Sequence, residues 1–151
     1  MTNITELKLG DTLQSPDFFT VSQSQIQRFA DATGDHQWIH LDAERCAKES
    51  PYSSTIAHGF LSVSLMPKMF AQCVSIDPST TTMINYGMDN LRFIEAVRVD
   101  DAIKYEFTLS KIEAKSAGDL YTFSGKVLIK NRQKPALVGN FLSLVMHVEA
   151  K

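Results

Sequence analysis

Residues 60–76 read FLSVSLMPKMFAQCVSI and place apolar side chains on nearly every face of a helix. In a globular protein this pattern indicates a helix surrounded by other structure, so we predict that the segment is the core helix of the fold. Pro67 lies inside it, removes one backbone hydrogen bond and is expected to kink the helix axis. The rest of the chain must then supply the structure that packs around this helix.

The chain after the core helix has the pattern of β-strands. From about residue 80 to 149, apolar residues alternate with polar ones or run continuously. Residues 103–109 and 121–129 alternate, as half-buried strands do, and residues 136–148 are apolar almost throughout, as in a central strand. Antiparallel strands that follow one buried helix suggest a curved sheet wrapped around it. The predicted fold class is α+β.

The chain before the core helix has helical spacing. A first helix is predicted to begin after Ser22, whose hydroxyl can cap it, and to end at Gly34, a residue common just past helix C-termini. Residues 35–40 are then expected to form a loop. Asp42 is predicted to cap a short second helix that Pro51 ends.

Composition bounds the class of protein. The chain has 151 residues, of which 44% are hydrophobic and 21% charged, so we expect one packed domain over residues 1–151. A formal net charge of -2 argues against nucleic-acid binding. Two cysteines, Cys46 and Cys73, are predicted to be core residues in a reducing compartment. The N-terminus lacks a signal-peptide pattern and no apolar run reaches about 18 residues, so we expect a cytoplasmic protein without a membrane role.

The densest group of reactive side chains is GDHQWIH, at residues 34–40. On a continuous helix Asp35 and His40 would lie about 140° apart around the axis, so they can meet only because Gly34 is expected to end the helix. A carboxylate and an imidazole that share one water can act as an acid/base pair at neutral pH. A structural role, with Asp35 in a turn and His40 partly buried, explains the same residues. The pattern alone leaves both roles open.

Two further interpretations concern histidines near this group. His36 and His40 are four apart, the spacing of two metal ligands on one helix face, but Gly34 interrupts the helix and the HExxH pattern is absent, so no metal site is predicted. His58 and Gly59 precede the core helix, whose first amides and dipole can stabilise an anionic oxygen that approaches Gly59 closely. Alternatively, Gly59 only permits tight packing and His58 satisfies the helix start.

Two segments, FADATGDHQWIHLD at residues 29–42 and TIAHGFLSVSLMP at residues 55–67, closely resemble the MaoC-like dehydratases of the hotdog superfamily, which include the R-specific enoyl-CoA hydratases. DHQWIH, together with INYGMDNLRF at residues 84–93, resembles the nodulation-protein-N-like branch. The resemblance implies a hotdog fold, in which an antiparallel sheet wraps a long central helix. It also implies a homodimer with the acyl-CoA tunnel near the dimer interface.

The same resemblance implies an activity. The family reversibly adds water to a trans-2-enoyl thioester and forms an (R)-3-hydroxyacyl thioester. Its catalytic pair matches Asp35 and His40, and its oxyanion-binding glycine amide matches Gly59. The expected substrate is an acyl-CoA or acyl-carrier thioester, with no cofactor beyond the CoA of the substrate and no metal. A hotdog thioesterase is the enzymatic alternative, and a non-catalytic acyl-thioester binder is the alternative of another class.

Four further residues are candidates for substrate binding: Trp38, His58, Tyr86 and Arg92. The two aromatic residues could line the acyl tunnel or belong to the core, and Arg92 could face a CoA phosphate or lie at a strand end. The chain departs from the family at Gln37 and Trp38, where many hydratases carry Asn and Pro. It departs again at Pro67, where R-specific hydratases often carry a hydroxyl residue. These departures bear on acyl-chain preference.

Overall fold

Six strands form one antiparallel sheet in the computed structural model, which describes residues 1–148 of the chain. In chain order the strands are β1 (Thr2–Asn3), β2 (Thr12–Gln14), β3 (Phe19–Thr20), β4 (Val74–Ser75), β5 (Thr81–Phe93), β6 (Ala102–Lys115), β7 (Gly118–Ile129) and β8 (Leu137–His147). The sheet order is β2-β6-β7-β8-β5, and β3 also pairs with β6. β1 and β4 form a separate parallel pair. The predicted α+β class is therefore confirmed.

Five helices precede the long strands and are short. They are α1 (Gln23–Thr33), α2 (Trp38–Leu41), α3 (Ala43–Glu49), α4 (Gly59–Ser64) and α5 (Met66–Ala71). Within residues 1–148, no helix is long and apolar enough to cross a bilayer. The single domain predicted from the sequence includes residues 149–151, which lie outside the described residues.

The core helix is in two pieces, α4 and α5, which meet at Leu65. The segment predicted as one helix over residues 60–76 is therefore interrupted at Leu65, two residues before Pro67, and it ends early, because residues 74–75 form β4. Pro67 lies in the first turn of α5 and has no N–H to donate to the carbonyl one turn earlier. The break follows from that missing donor.

The side chain of Phe70 joins α5 to three strands. Its ring centroid lies 5.1 Å from that of Phe107 on β6, 4.7 Å from that of Phe123 on β7 and 5.3 Å from that of Phe141 on β8. Tilted and edge-to-face contacts at these distances are the favoured arrangements of aromatic pairs. Phe70 therefore sets the position of α5 against the centre of the sheet.

Two contacts bring the helix backbone close to the strands. A Cβ added to Gly125 on β7 would lie 2.9 Å from Cε of Met66, so the Met66 side chain of α5 packs directly on this glycine. The Tyr105 hydroxyl on β6 donates to the Ser62 carbonyl at 2.6 Å. Burial raises the pKa of Tyr105 far above its usual range, which keeps this hydroxyl a donor.

The burial pattern confirms the strand predictions and corrects one helix prediction. On β6 the residues predicted to face the core are completely buried: Ile103, Tyr105, Phe107 and Leu109. Cys46 and Cys73 are buried, as predicted, and neither forms a disulfide. Phe60 at the start of α4 is 63% exposed, and Ser64 and Lys68 continue the exposed face. A core helix surrounded on every side is therefore wrong for the single chain, because the sheet covers only one face.

The caps around the first helices form as predicted. The Ser22 hydroxyl accepts from the Gln25 amide at 3.1 Å, and Gly34 ends α1 with a φ of 80°. Asp42 caps α3 through the Arg45 amide at 3.0 Å.

The loop expected over residues 35–40 is wrong in its second half, because α2 begins at Trp38. The turn closes through the Asp42 amide, which donates to the Trp38 carbonyl at 2.9 Å. Gln23 from α1 donates to the His40 carbonyl at 2.8 Å, which satisfies a carbonyl near the end of this helix.

Candidate active site

The carboxylate of Asp35 and the imidazole of His40 lie side by side. The left-handed conformation of Gly34 turns the chain out of α1, and α2 then carries His40 back beneath the turn. Asp35 Oδ2 lies 4.0 Å from His40 Nε2. The Asp35 side chain is 53% exposed, whereas His40 is buried. The two residues therefore lie close together, as expected if Gly34 ends the helix. Their catalytic role stays a prediction.

The hydrogen bonds of His40 define its tautomer. Its Nδ1 lies 2.7 Å from the carbonyl oxygen of Ile56, which can only accept, so Nδ1 carries the proton. In the neutral ring the lone pair is then on Nε2, the atom that faces Asp35. His40 therefore presents a basic nitrogen to the space beside the carboxylate.

The surroundings of His40 favour the neutral ring. Burial lowers the pKa of His40 below its usual value, and this effect exceeds the opposing effect of the Ile56 carbonyl. The neighbouring His58 lowers this pKa further, and the Asp35 carboxylate raises it. The net lowering leaves the Nε2 lone pair free at neutral pH.

His58 lies behind His40 and is only 4% exposed. Its ring stacks on the His40 ring, with centroids 3.7 Å apart and planes at 21°. Its Nε2 lies 2.9 Å from the main-chain carbonyl oxygen of Asp35 and donates to it. Its Nδ1 is buried without a hydrogen-bond partner in the described chain. His58 thus contacts both Asp35 and His40.

A cavity of about 280 Å³ opens next to His40. Its lining comes from α2, from the residues around the start of α4, from the end of β5 and from the residues before and in β8: His40, Tyr52, Ile56, Ala57, Gly59, Ser62, Phe93, Ile94, Glu95, Ala96, Val97, Ala136 and Leu137. The lining is mainly apolar, and its residues with polar side chains are His40, Tyr52, Ser62 and Glu95. An apolar cavity with a few convergent polar groups is typical of a small-molecule site.

Gly59 is the first residue of α4 and lies under the ring of Phe93. A Cβ at Gly59 would come within 2.6–2.8 Å of three carbons of that ring. Tight packing, one of the two roles considered for Gly59 from the sequence, is therefore present. This packing is compatible with the other role, an amide that stabilises an anionic oxygen, because Gly59 also lines the cavity.

None of the four candidate substrate-binding residues lines this cavity. Trp38 packs beneath Arg45, whose guanidinium carbon is 4.0 Å from its ring centroid. Tyr86 on β5 is 58% exposed, and Arg92 on the same strand donates to the Leu91 carbonyl at 2.8 Å. His58, the fourth, is covered by His40. Their roles in substrate binding stay predictions.

Several residues of the site could not be predicted from sequence patterns. Ser62 lines the cavity and is a hydroxyl residue of the core helix. It lies five residues before Pro67, the position at which R-specific hydratases often carry a hydroxyl residue. Gln23 bonds to the His40 carbonyl and accepts from the Thr55 hydroxyl. These contacts join residues from different parts of the chain, so periodicity and spacing do not reveal them.

Binding of a metal by these histidines would require hydrogen bonds other than the observed ones, and the expected absence of a metal stays a prediction. Atoms of Asp35, His40 and His58 that could bind a metal all lie within 4.8 Å of one another. However, His58 Nε2 carries its proton toward the Asp35 carbonyl and offers no lone pair there. His36 bonds to Asp31 at 2.9 Å instead of joining His40.

The chain is similar in sequence to the MaoC like domain over residues 6–128. It is 38% identical to nodulation protein N of Rhizobium leguminosarum bv. viciae, over 91% of this chain and 86% of that protein. It is 36% identical to 3-hydroxyacyl-thioester dehydratase Z of Mycobacterium tuberculosis, over 92% of this chain and 90% of that protein. R-hydratase PhaJ1 from Pseudomonas aeruginosa matches in structure with a TM-score of 0.76 and 24% identity, over 97% of this chain and 90% of that one. These matches confirm both resemblances and the hotdog fold.

The two Asp–His contacts of this region predict opposite titration behaviour. His40 should titrate below the ordinary histidine pKa of about 6.5 because it is buried, and His36 should titrate above it because it bonds to Asp31. Side-chain ¹⁵N NMR during a pH titration measures both. Since the folded chain then binds the His40 proton less readily than the unfolded chain, this residue lowers stability as the pH falls below about 6.5.

Asp31→Asn is the control for the titration. It should return the pKa of His36 toward its ordinary value and leave that of His40 unchanged. A His40 that titrates above His36 would contradict the assignment of both environments.

Proposed function

Because this chain belongs to the MaoC-like dehydratase family, we propose that it catalyses the reversible hydration of a trans-2-enoyl thioester to an (R)-3-hydroxyacyl thioester. Its named relatives include dehydratases, and the chain is accordingly an enzyme of the lyase class. The observation that carries the proposal is the 4.0 Å separation of Asp35 Oδ2 and His40 Nε2 beside the cavity that His40 and Gly59 line.

That separation suits a shared water. It is too long for a direct hydrogen bond, but one water can bond to both atoms at about 2.8 Å. Both atoms are acceptors, since Asp35 is a carboxylate and Nε2 of His40 carries the lone pair. Each therefore takes one hydrogen of the water, and the water's own lone pairs remain free to attack.

The reaction then needs one proton to leave the water and one to reach carbon. His40 Nε2 accepts a proton as the water oxygen attacks C3, and the C2=C3 electron pair moves toward the thioester carbonyl. The Asp35/His40 pair delivers a proton to C2 on the same face and regains its starting protonation state. The net change is the addition of one water, and the reverse sequence is dehydration.

Negative charge on the thioester oxygen requires a donor in the same cavity. The amide of Gly59, at the start of α4, is the group proposed for this role. Phe93 packs against this glycine and lines the same cavity.

Hydration should depend on Asp35 and His40. With crotonyl-CoA and longer trans-2-enoyl-CoAs, Asp35→Asn and His40→Ala should each lower kcat/KM by about 100- to 10,000-fold, because the first removes the carboxylate charge and the second removes the basic nitrogen. The loss of enoyl-thioester absorbance measures the rate, and chiral analysis should identify the product as the (R)-3-hydroxyacyl thioester.

The chain contains a matched control for this experiment. Asp31 and His36 are also an Asp–His pair five residues apart, but both side chains are exposed and they bond to each other rather than to His40. Asp31→Asn and His36→Ala should therefore retain wild-type activity. Release of free CoA would instead identify a thioesterase, and binding of CoA esters without any product would identify a binder. Substantial hydration by Asp35→Asn would refute the assigned pair.

The role of the Gly59 amide can be separated from its packing. Phe93→Ala removes the ring that a side chain at residue 59 would meet, and both Gly59→Ala and Gly59→Pro are then compared in that background. Proline suits the first helical position, and the extended ψ of 135° at His58 suits the residue before proline.

Only the proline variant lacks the N–H. It should lower kcat by a further factor of about 100 to 1,000, whereas the alanine variant should match Phe93→Ala alone. Circular dichroism checks that both are folded. Equal activities of the two variants would show that the amide does not bind the oxyanion.

We further propose that the chain forms a homodimer through β5. This strand pairs with β8 on one side and ends the sheet within the described part of the chain. Tyr86 is the additional residue where the β5–β8 register shifts, and both it and Ile84 are largely exposed. A long edge strand with exposed apolar side chains presents unpaired backbone N–H and C=O groups, which favour pairing with another strand. A second copy of the chain supplies that strand, because β5 can pair with β5 of the other copy across a two-fold axis.

Sedimentation equilibrium should give twice the mass of the chain. Replacing Ile84 and Tyr86 together by lysine should shift the mass to that of the monomer, because like charges then meet across the two-fold axis. Leu9→Lys removes an equally exposed apolar side chain far from β5 in sequence and should leave the dimer intact. A monomeric wild-type chain would refute the proposed homodimer.

A further inference from the structure

We propose that His58 is a positioning residue, which holds the Asp35 main chain and the His40 ring at the separation that the reaction requires. The inference rests on the proposed function. It assigns to His58 a role different from the substrate contact considered from the sequence, because its nitrogens are buried and the ring lies behind His40.

The first contact anchors the loop that carries Asp35. Asp35 follows the left-handed Gly34, and its other local hydrogen bonds are long: its amide lies 3.4 Å from the Thr33 hydroxyl, and its Oδ1 lies 3.3 Å from the Gln37 amide. The bond from His58 Nε2 to the Asp35 carbonyl is shorter, at 2.9 Å, and comes from a residue 23 positions later. It therefore ties this exposed loop to the buried start of α4.

The second contact fixes the plane of the His40 ring. His58 lies between two rings, with His40 stacked at 3.7 Å and Phe29 of α1 tilted against it at 4.9 Å. The Ile56 carbonyl, two residues before His58, holds His40 Nδ1. One short segment therefore determines both the tilt of the His40 ring and the direction of its Nε2.

The protonation pattern of His58 separates positioning from catalysis. His40 carries its proton on Nδ1, whereas His58 carries its proton on Nε2 and directs it to a carbonyl. His58 therefore offers no lone pair to a water between Asp35 and His40. Its Nδ1 has no partner within the described chain, which is unfavourable for a buried nitrogen. The stacking of the His58 ring and the hydrogen bond from its Nε2 together explain why this buried residue is a histidine.

Three substitutions separate the two contacts. His58→Gln places an N–H donor within reach of the Asp35 carbonyl, His58→Asn has the same amide on a side chain too short to reach it, and His58→Phe keeps a ring without a donor. If the hydrogen bond positions Asp35, kcat should fall about 10- to 100-fold in the asparagine and phenylalanine variants, and KM should change by less than about threefold. The glutamine variant should recover most of the lost kcat.

Two measurements keep a folding defect distinct from a positioning defect. Thermal unfolding shows which variants fold, and the Gln/Asn pair still decides the question if His58→Phe does not. Side-chain ¹⁵N NMR should show the Nδ1–H tautomer of His40 in the wild type and in His58→Gln.

The outcomes distinguish this inference from the proposed function. If the wild type hydrates no enoyl thioester, the proposed function fails. If the wild type is active and needs Asp35, but the glutamine, asparagine and phenylalanine variants all keep wild-type kcat, the positioning role of His58 is overturned alone. A rise in KM without a fall in kcat would also overturn it, since that result indicates a substrate contact.

Discussion

The contact of one aromatic side chain with three strands is the constraint on which the rest of this structure depends. Phe70 meets a phenylalanine on each of β6, β7 and β8, and so fixes α5 against the middle of the sheet. Because α4 joins α5 directly at Leu65, the start of α4 is fixed as well. Gly59 and the residues just before it owe their place to this packing.

The proposed active site is assembled from two separate segments that this core brings together. One is the turn after α1, with Asp35 and His40, and the other is the stretch of residues 55–59 that leads into α4. The Ile56 amide donates to the Ile39 carbonyl, and the Ile56 carbonyl holds the His40 ring. His58 holds the Asp35 carbonyl, and Gln23 bonds to both the His40 carbonyl and the Thr55 hydroxyl. The core therefore sets the distance between the acid/base pair and the amide proposed to bind the oxyanion.

The parts of this arrangement that local patterns determine could be predicted from the sequence. The alternation on β6, the cap at Ser22 and the turn at Gly34 depend on neighbouring residues, and the meeting of Asp35 and His40 followed from that turn. The exposure of Phe60 and the position of His58 could not be predicted, because they depend on which face of the core helix the sheet covers and on contacts between residues far apart. Pro67 indicated a kink, but only the structure shows two helices.

The ring of Phe93 above Gly59 has a consequence for how this enzyme can change. Part of the wall of the cavity comes from the end of β5 and the residues that follow it, Phe93 to Val97, whereas Asp35 and His40 lie on the turn and the helix after α1. Substitutions there reshape the space offered to an acyl group and leave the proposed acid/base machinery in place. If the proposed function holds, the shape of the acyl site can therefore change through residues 94–97 without a change in the Asp35/His40 pair.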